Sequence, residues 1–213
     1  MRNTFDRFNG RHQDYQAARP SYAQEFLDWL GELYAPPERY TAADIGSGTG
    51  KLSAQLLAAG FRVCGVEPNP DMRGAAEALL GGDPRFSSSN GTDHDTGLPD
   101  RSVDMVAAAQ AFHWFDGPAF ARECRRILRP GGRAVLVWNV RGSAPMNQAL
   151  AQVFREHCPS FHGFTGGMGE DDPRIRDFFG GAYEKRRFPN PLTLDRDRFL
   201  RRCFSSSYAL REG

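Results

Sequence analysis

Short apolar runs alternate with amphipathic stretches along the first two-thirds of the chain. Ser21 followed by Glu25, Phe26, Leu27, Trp29, Leu30 and Leu33 predicts a helix over 21–34, stopped by Pro36 and Pro37. TAADI at 41–45 reads as a strand, residues 46–50 as a glycine-rich turn, and Leu52, Leu56 and Leu57 mark a helix over 51–59 that stops at Gly60. The pattern then repeats, with a strand at 61–66, a helix over 71–80, a weaker strand at 85–89 and a strand at 103–108. A helix over 118–128 closes at Arg129, Pro130, Gly131 and Gly132. RAVLVW at 133–138 is a fifth strand, apolar through its centre as a buried parallel strand is.

Strands that each lead into a helix predict an α/β fold: a Rossmann-like, doubly wound, mostly parallel sheet in a three-layer α/β/α sandwich with right-handed crossovers. Beyond residue 140 the periodicity is weaker. A helix over 144–157, a glycine-rich loop over 158–173, a sixth strand at 182–189 and a short helix over 195–204 are expected there. The whole of 1–213 reads as one domain, with a helical segment at 1–40, a binding core at 41–140 and a C-terminal segment at 141–213.

Composition narrows the class. With 27 basic against 26 acidic residues the net charge is +1, which argues against a nucleic-acid binder that works by charge alone. The arginine pairs 125/126, 186/187 and 201/202 fit solvated helix faces. Cys64, Cys124, Cys158 and Cys203 form no CxxC pair and read as reduced intracellular thiols. His157, Cys158 and His162 lack the second pair that a four-ligand metal site needs, so no metal is expected. No apolar run approaches a membrane span and the N-terminus is too polar for a signal peptide, so the expectation is a cytoplasmic protein without a membrane partner.

The candidate chemistry starts at DIGSGTGKL, where Asp44, Gly46, Ser47, Gly48 and Gly50 carry the chain from the first strand into the next helix. Alternate glycines permit positive φ and let a ligand approach main-chain N–H groups. A phosphate-binding GxxxxGK[ST] loop would need glycine at Ile45 and a hydroxyl at Leu52, and a GxGxxG dinucleotide turn would need glycine at Lys51. GxGxG preceded by an acid suits a ligand with no pyrophosphate, the acid receiving the ammonium of an amino-acid portion. Glu67 ends the second strand, where a carboxylate can accept hydrogen bonds from both ribose hydroxyls. Pro68 fixes the chain past it and Met72 is expected against a flat base.

DIGSGTGKLS, VEPNPDM, LPDRSVDMV, AFHWFD and RRILRPGGR, in that order, resemble the class I S-adenosylmethionine-dependent methyltransferase family, in its small-molecule type 11 branch. YQAARPSYAQEF resembles the helix that precedes the fold in the branch of trans-aconitate and related carboxyl methyltransferases. The resemblance implies S-adenosylmethionine as cofactor, with Gly91, Thr92 and Asp93 at the adenine edge and Gln110 beside the methionine half. It also implies an antiparallel seventh strand, for which the 24 residues after Pro189 offer no apolar run; a sheet without that strand is therefore expected, either in a truncated chain or as six strands with an exposed edge.

Methyl transfer from a sulfonium is an in-line displacement in which positioning contributes much of the rate. Tyr15, Phe112 and Trp114 are candidate aromatic neighbours of the sulfonium. A hydroxyl or amine acceptor calls for a base, for which His113 is the histidine at the sheet's carboxyl edge; a carboxylate acceptor calls for an arginine, and Arg19 and Arg141 are the candidates. The function expected is methyl transfer to a small-molecule carboxylate or hydroxyl by a monomer or homodimer. An RNA or protein methyltransferase and a non-catalytic cofactor-binding module remain open alternatives at this point.

Overall fold

The computed structural model describes residues 20–142, 144–164, 168–169 and 171–204. Its elements are α1 (Gln24–Leu33), β1 (Thr41–Ile45), α2 (Lys51–Ala58), β2 (Arg62–Val66), α3 (Pro70–Leu80), β3 (Phe86–Ser89), β4 (Val103–Ala109), α4 (Gly117–Ile127), β5 (Leu128–Val137), α5 (Pro145–His157), α6 (Pro173–Phe178) and α7 (Arg196–Phe204). The five strands form one parallel sheet in the order β3-β2-β1-β4-β5.

Strand periodicity builds two cores. Along β1 and β4, Ala42, Met105 and Ala107 face one side while Ala43, Val106 and Ala108 face the other. The first side packs Phe26, Leu27 and Leu30 of α1 and Leu52, Leu56 and Leu57 of α2; the second packs Phe120, Cys124 and Ile127 of α4 and Ile175 and Phe178 of α6. These layers are the expected sandwich. Helix starts follow their caps: Asn69 Oδ1 accepts from the N–H groups of Asp71 and Met72, and Asp116 Oδ1 from Ala119 N–H.

Three expectations are corrected beyond residue 128. First, β5 is only half-buried and begins five residues early, at Leu128, because it pairs with β4 on one side and, among the described residues, with nothing on the other. Second, 182–189 is not a strand. Glu184, Lys185, Arg186 and Arg187 are consecutive charges with no apolar face to bury, and the segment is instead anchored by Phe188 against the rings of Phe26 and Trp29 at 5.9 and 6.0 Å. Third, the 158–173 loop runs into α6, capped by Asp172 and followed by Pro173; Phe178 stacks on Phe120 at 5.1 Å.

The C-terminal segment forms a small core of its own, in which Phe154, Cys158, Phe161 and Cys203 join α5 to α7. Phe164 packs against that core and, with Arg202 of α7, lines a cleft shared with Asp44 and Gln110.

Candidate active site

The strand order reverses between β1 and β4, and in an open α/β sheet the crevice outside the carboxyl ends at such a point is where ligands bind. A cleft opens there. Asp44, Gly46, Ser47, Gly48, Thr49 and Lys51 form one wall, Ala109, Gln110 and Asn139 another, and Pro20, Tyr22, Arg141, Phe164 and Arg202 lie at the mouth.

The glycine loop is tied down from behind. The N–H groups of Gly46 and Ser47 both donate to the Val66 carbonyl, at 2.9 and 3.1 Å. A Cβ on Gly46 would stand 2.8 Å from Ala111 Cβ, and φ is +69° there, so close packing and backbone conformation both demand glycine. Gly48 differs: φ is +58° but nothing lies within 4 Å of where its Cβ would be, which leaves the backbone open to the cleft. Gly50 faces away from the cleft, towards Leu80 and Ala76 of α3.

Asp44 sits fully buried at the floor. Ser53 Oγ donates to its Oδ2 at 2.7 Å, while its Oδ1 is buried without a partner among the described residues. Burial, with the nearby Glu67 charge, pushes its pKa up to about 6 against the opposing pull of the Ser53 bonds. The Thr49 hydroxyl, also buried in the cleft wall, likewise has no partner among the described residues. Buried polar atoms are satisfied almost without exception, so two orphans in one cleft mark places for ligand atoms. Asp44 Oδ1 can accept a hydrogen bond from a donor such as an ammonium.

Glu67 is buried and holds two turns together. Its Oε2 accepts from Gly48 N–H and its Oε1 from Asn69 N–H, both at 2.9 Å. Each carboxylate oxygen keeps a second lone pair for a ligand hydroxyl. Burial raises its pKa against these bonds and the Arg73 charge, whose guanidinium donates to the Glu67 carbonyl.

At the opposite wall Gln110 takes φ +56°, rare for a residue with a side chain, and its Nε2 donates to the Asn139 carbonyl at 3.1 Å. Asn139 in turn donates to the Ser21 carbonyl at 3.2 Å, and Tyr22 exchanges two hydrogen bonds with Gln55 of α2. These bonds clamp residues 20–22 over the mouth. Arg141 lies 4.3 Å from the centroid of the Phe164 ring.

The cleft therefore brings together Asp44, Gly46, Ser47, Gly48, Gln110 and Arg141 of the predicted residues. Glu67 stands directly behind it, and Pro68 and the buried Met72 follow on the α3 side without lining it. Gly91, Thr92 and Asp93 lie on the loop after β3. His113 and Trp114 form a short 3-10 turn outside the lining, their rings 4.8 Å apart, with Phe112 buried in the core. Tyr15 and Arg19 lie outside the described residues. Tyr22, Lys51, Asn139, Phe164 and Arg202 were not anticipated; of these only Asn139, just past a strand's carboxyl end, carried a positional signal.

Residues 43–136 match the methyltransferase domain family. A solved structure from Anaeromyxobacter dehalogenans, described as a type II methyltransferase, is 33% identical and covers 83% of this chain and 70% of that one, with a TM-score of 0.53. The chain belongs to the class I S-adenosylmethionine-dependent methyltransferase family. An uncharacterised methyltransferase of Mycobacterium tuberculosis is 42% identical over 127 residues, 60% of this chain and 49% of that protein. Another, from Schizosaccharomyces pombe, is 31% identical over 147 residues, 68% of this chain and 57% of that protein. This methyltransferase chain thus spans about half the length of the curated relatives it matches. The cofactor of the family is S-adenosylmethionine, and the orphaned Asp44 oxygen, the open Gly48 and the buried Glu67 fit its ammonium, backbone approach and ribose.

Proposed function

We propose that this methyltransferase transfers a methyl group from S-adenosylmethionine to a small molecule bearing a carboxylate. The observation that carries the reading is the polarity of one cleft: a buried acid with an unpartnered oxygen at its floor and two arginines, Arg141 and Arg202, at its mouth. The floor suits the cationic amino-acid end of the cofactor. The mouth suits an anion.

In this reading Asp44 receives the ammonium, Gly48 lets the cofactor lie against main chain, and Glu67 accepts from the ribose hydroxyls. When bound, S-adenosylmethionine supplies a methyl group already activated by its sulfonium. A carboxylate acceptor is itself the nucleophile, so the chain's task is to hold it in line, which is worth up to ~7–11 kcal/mol in well-oriented cases. Arg141, steadied on Phe164, is proposed to hold that carboxylate. Residues 20–22 close the mouth and exclude water. A small acceptor is favoured over RNA because the net charge of +1 offers no strong general attraction to phosphate.

The test is transfer of isotopically labelled methyl from S-adenosylmethionine to a panel of small carboxylic acids and to their alcohol analogues. Base-labile label, released as methanol from an ester, is expected from acids. Label found only in base-stable products of the alcohols would assign a hydroxyl acceptor and return His113 as a base.

A further inference from the structure

The loop from 90 to 102, between β3 and β4, forms neither strand nor helix and is fastened to α4 instead. Its anchor is Thr96, which is fully buried. The Thr96 N–H and hydroxyl both donate to Oε1 of Glu123, at 2.9 and 2.6 Å. Its hydroxyl also accepts from Leu98 N–H, and its carbonyl accepts from Ser89 Oγ at 2.8 Å. A Cβ on Gly91 would collide with that same carbonyl, so the two limbs of the loop close on Thr96. At the far end of α4, Asp116 N–H donates to Asp93 Oδ2 at 3.1 Å.

Glu123 is an unusual anchor, because a carboxylate only 6% exposed is costly unless fully paired. Arg126 supplies the pairing, with Nε on Oε2 at 2.8 Å and Nη2 on Oε1 at 2.7 Å, and its Nη1 reaches Asp100 at 2.7 Å. Burial alone would raise the Glu123 pKa; the hydrogen bonds from Arg126 and Thr96 outweigh it and bring the group to about 2. The carboxylate therefore stays ionised and rigid across the working pH range. A neutral residue could pin a surface loop. A charged, four-bonded anchor fixes its position far more tightly, and the position fixed is that of the 91–93 turn.

We infer that Glu123 is a positioning residue for the cofactor: through Thr96 it sets the 91–93 turn, and with it the Asp93 carboxylate, where the adenine amino edge is recognised. The inference rests on the proposed cofactor reading and on the placement of 91–93 at the adenine side. It makes α4 the element that determines base selectivity, although Glu123 itself touches no cofactor.

The experiment titrates the full chain calorimetrically with S-adenosylhomocysteine and with S-inosylhomocysteine, in which the adenine amino donor is replaced by an oxo acceptor. Melting midpoints are recorded in parallel. Wild type is expected to prefer the adenosyl ligand, and Glu123→Ala to reduce that preference by about tenfold or more. Glu123→Gln, whose carbonyl oxygen can still accept both Thr96 bonds while its amide nitrogen faces the Arg126 Nε donor, is expected to restore part of it. A Glu123→Ala protein that melts lower but keeps the wild-type preference would overturn the inference, since the anchor would then serve stability alone. If Glu123→Ala does not fold, Thr96→Val, which removes one of the two donors, carries the same comparison with a smaller loss expected. A wild type that binds both ligands equally would overturn the placement of 91–93, and one that binds neither would overturn the cofactor reading, so the three failures are distinguishable.

Discussion

Glu67 and Gly48, nineteen residues apart, are joined by a hydrogen bond of 2.9 Å from the glycine N–H to the carboxylate. The acid that ends β2 thereby fixes the one loop glycine whose Cβ side is open to the cleft. Binding geometry and loop geometry share one side chain.

Replacing Glu67 by alanine removes both the proposed ribose acceptor and the tie to Gly48 and Asn69. S-adenosylhomocysteine affinity is expected to fall by about 1–3 kcal/mol, the cost of leaving such groups unpaired, or roughly 5- to 150-fold. Isothermal titration measures it, and an unchanged affinity would contradict the ribose role.

The raised pKa of Asp44 gives the binding a pH signature. The ammonium of the cofactor pairs with the ionised acid, so affinity should be full above a pH of about 6 and decline roughly tenfold per unit below it. Asp44→Asn should bind weakly with a flat profile. The folding contribution of Asp44 has the opposite sense: it is present below the unfolded pKa and lost as pH rises through about 6, because the buried carboxyl is easier to keep neutral.

The two loop glycines separate packing from ligand approach. Gly46→Ala should destabilise the fold, since its Cβ would meet Ala111 at 2.8 Å in addition to the cost of positive φ. Gly48→Ala meets nothing among the described residues and should cost only the left-handed backbone penalty, about 1–2 kcal/mol, while weakening cofactor binding more than its stability loss explains. Melting and titration on both variants make the comparison.

How much of this was legible in the sequence follows from where each constraint resides. The placement of Asp44, Gly46 and Gly48 around the end of β1, and of Glu67 just past β2, was readable because a turn after a strand is set by local backbone rules. The central strands β1 and β4 were readable because two-sided burial leaves apolar runs such as 105–109, whereas the edge strands β3 and β5 carry a weaker pattern. The segment 182–189 was misread because isolated apolar residues flank four charges, and only the tertiary contact of Phe188 with α1 decides its path. Arg202 and Phe164 reach the cleft through the packing of α5 against α7, which no local pattern encodes. His113 was placed by the sequence just past β4, and there it sits on a 3-10 turn that does not line the cleft.

At the mouth, Arg141→Ala should raise the KM for a carboxylate acceptor by about 10- to 100-fold, the worth of a charge-assisted hydrogen bond, without changing cofactor affinity. Arg141→Lys should recover only part, because it loses the planar fork and the contact with Phe164. His113→Asn should leave turnover of a carboxylate acceptor within a few-fold of wild type. A fall of about 10²–10⁴, the range of general-base catalysis, would show instead that the histidine takes a proton from the acceptor.

The central claim is that the cleft at the β1/β4 reversal binds S-adenosylmethionine. Its most direct test is calorimetric titration of the purified chain with S-adenosylmethionine, S-adenosylhomocysteine and NAD, repeated on Asp44→Asn. The account predicts one-site binding of the first two, no binding of NAD, and marked weakening in the variant. Equal binding by Asp44→Asn, or preference for NAD, would contradict it.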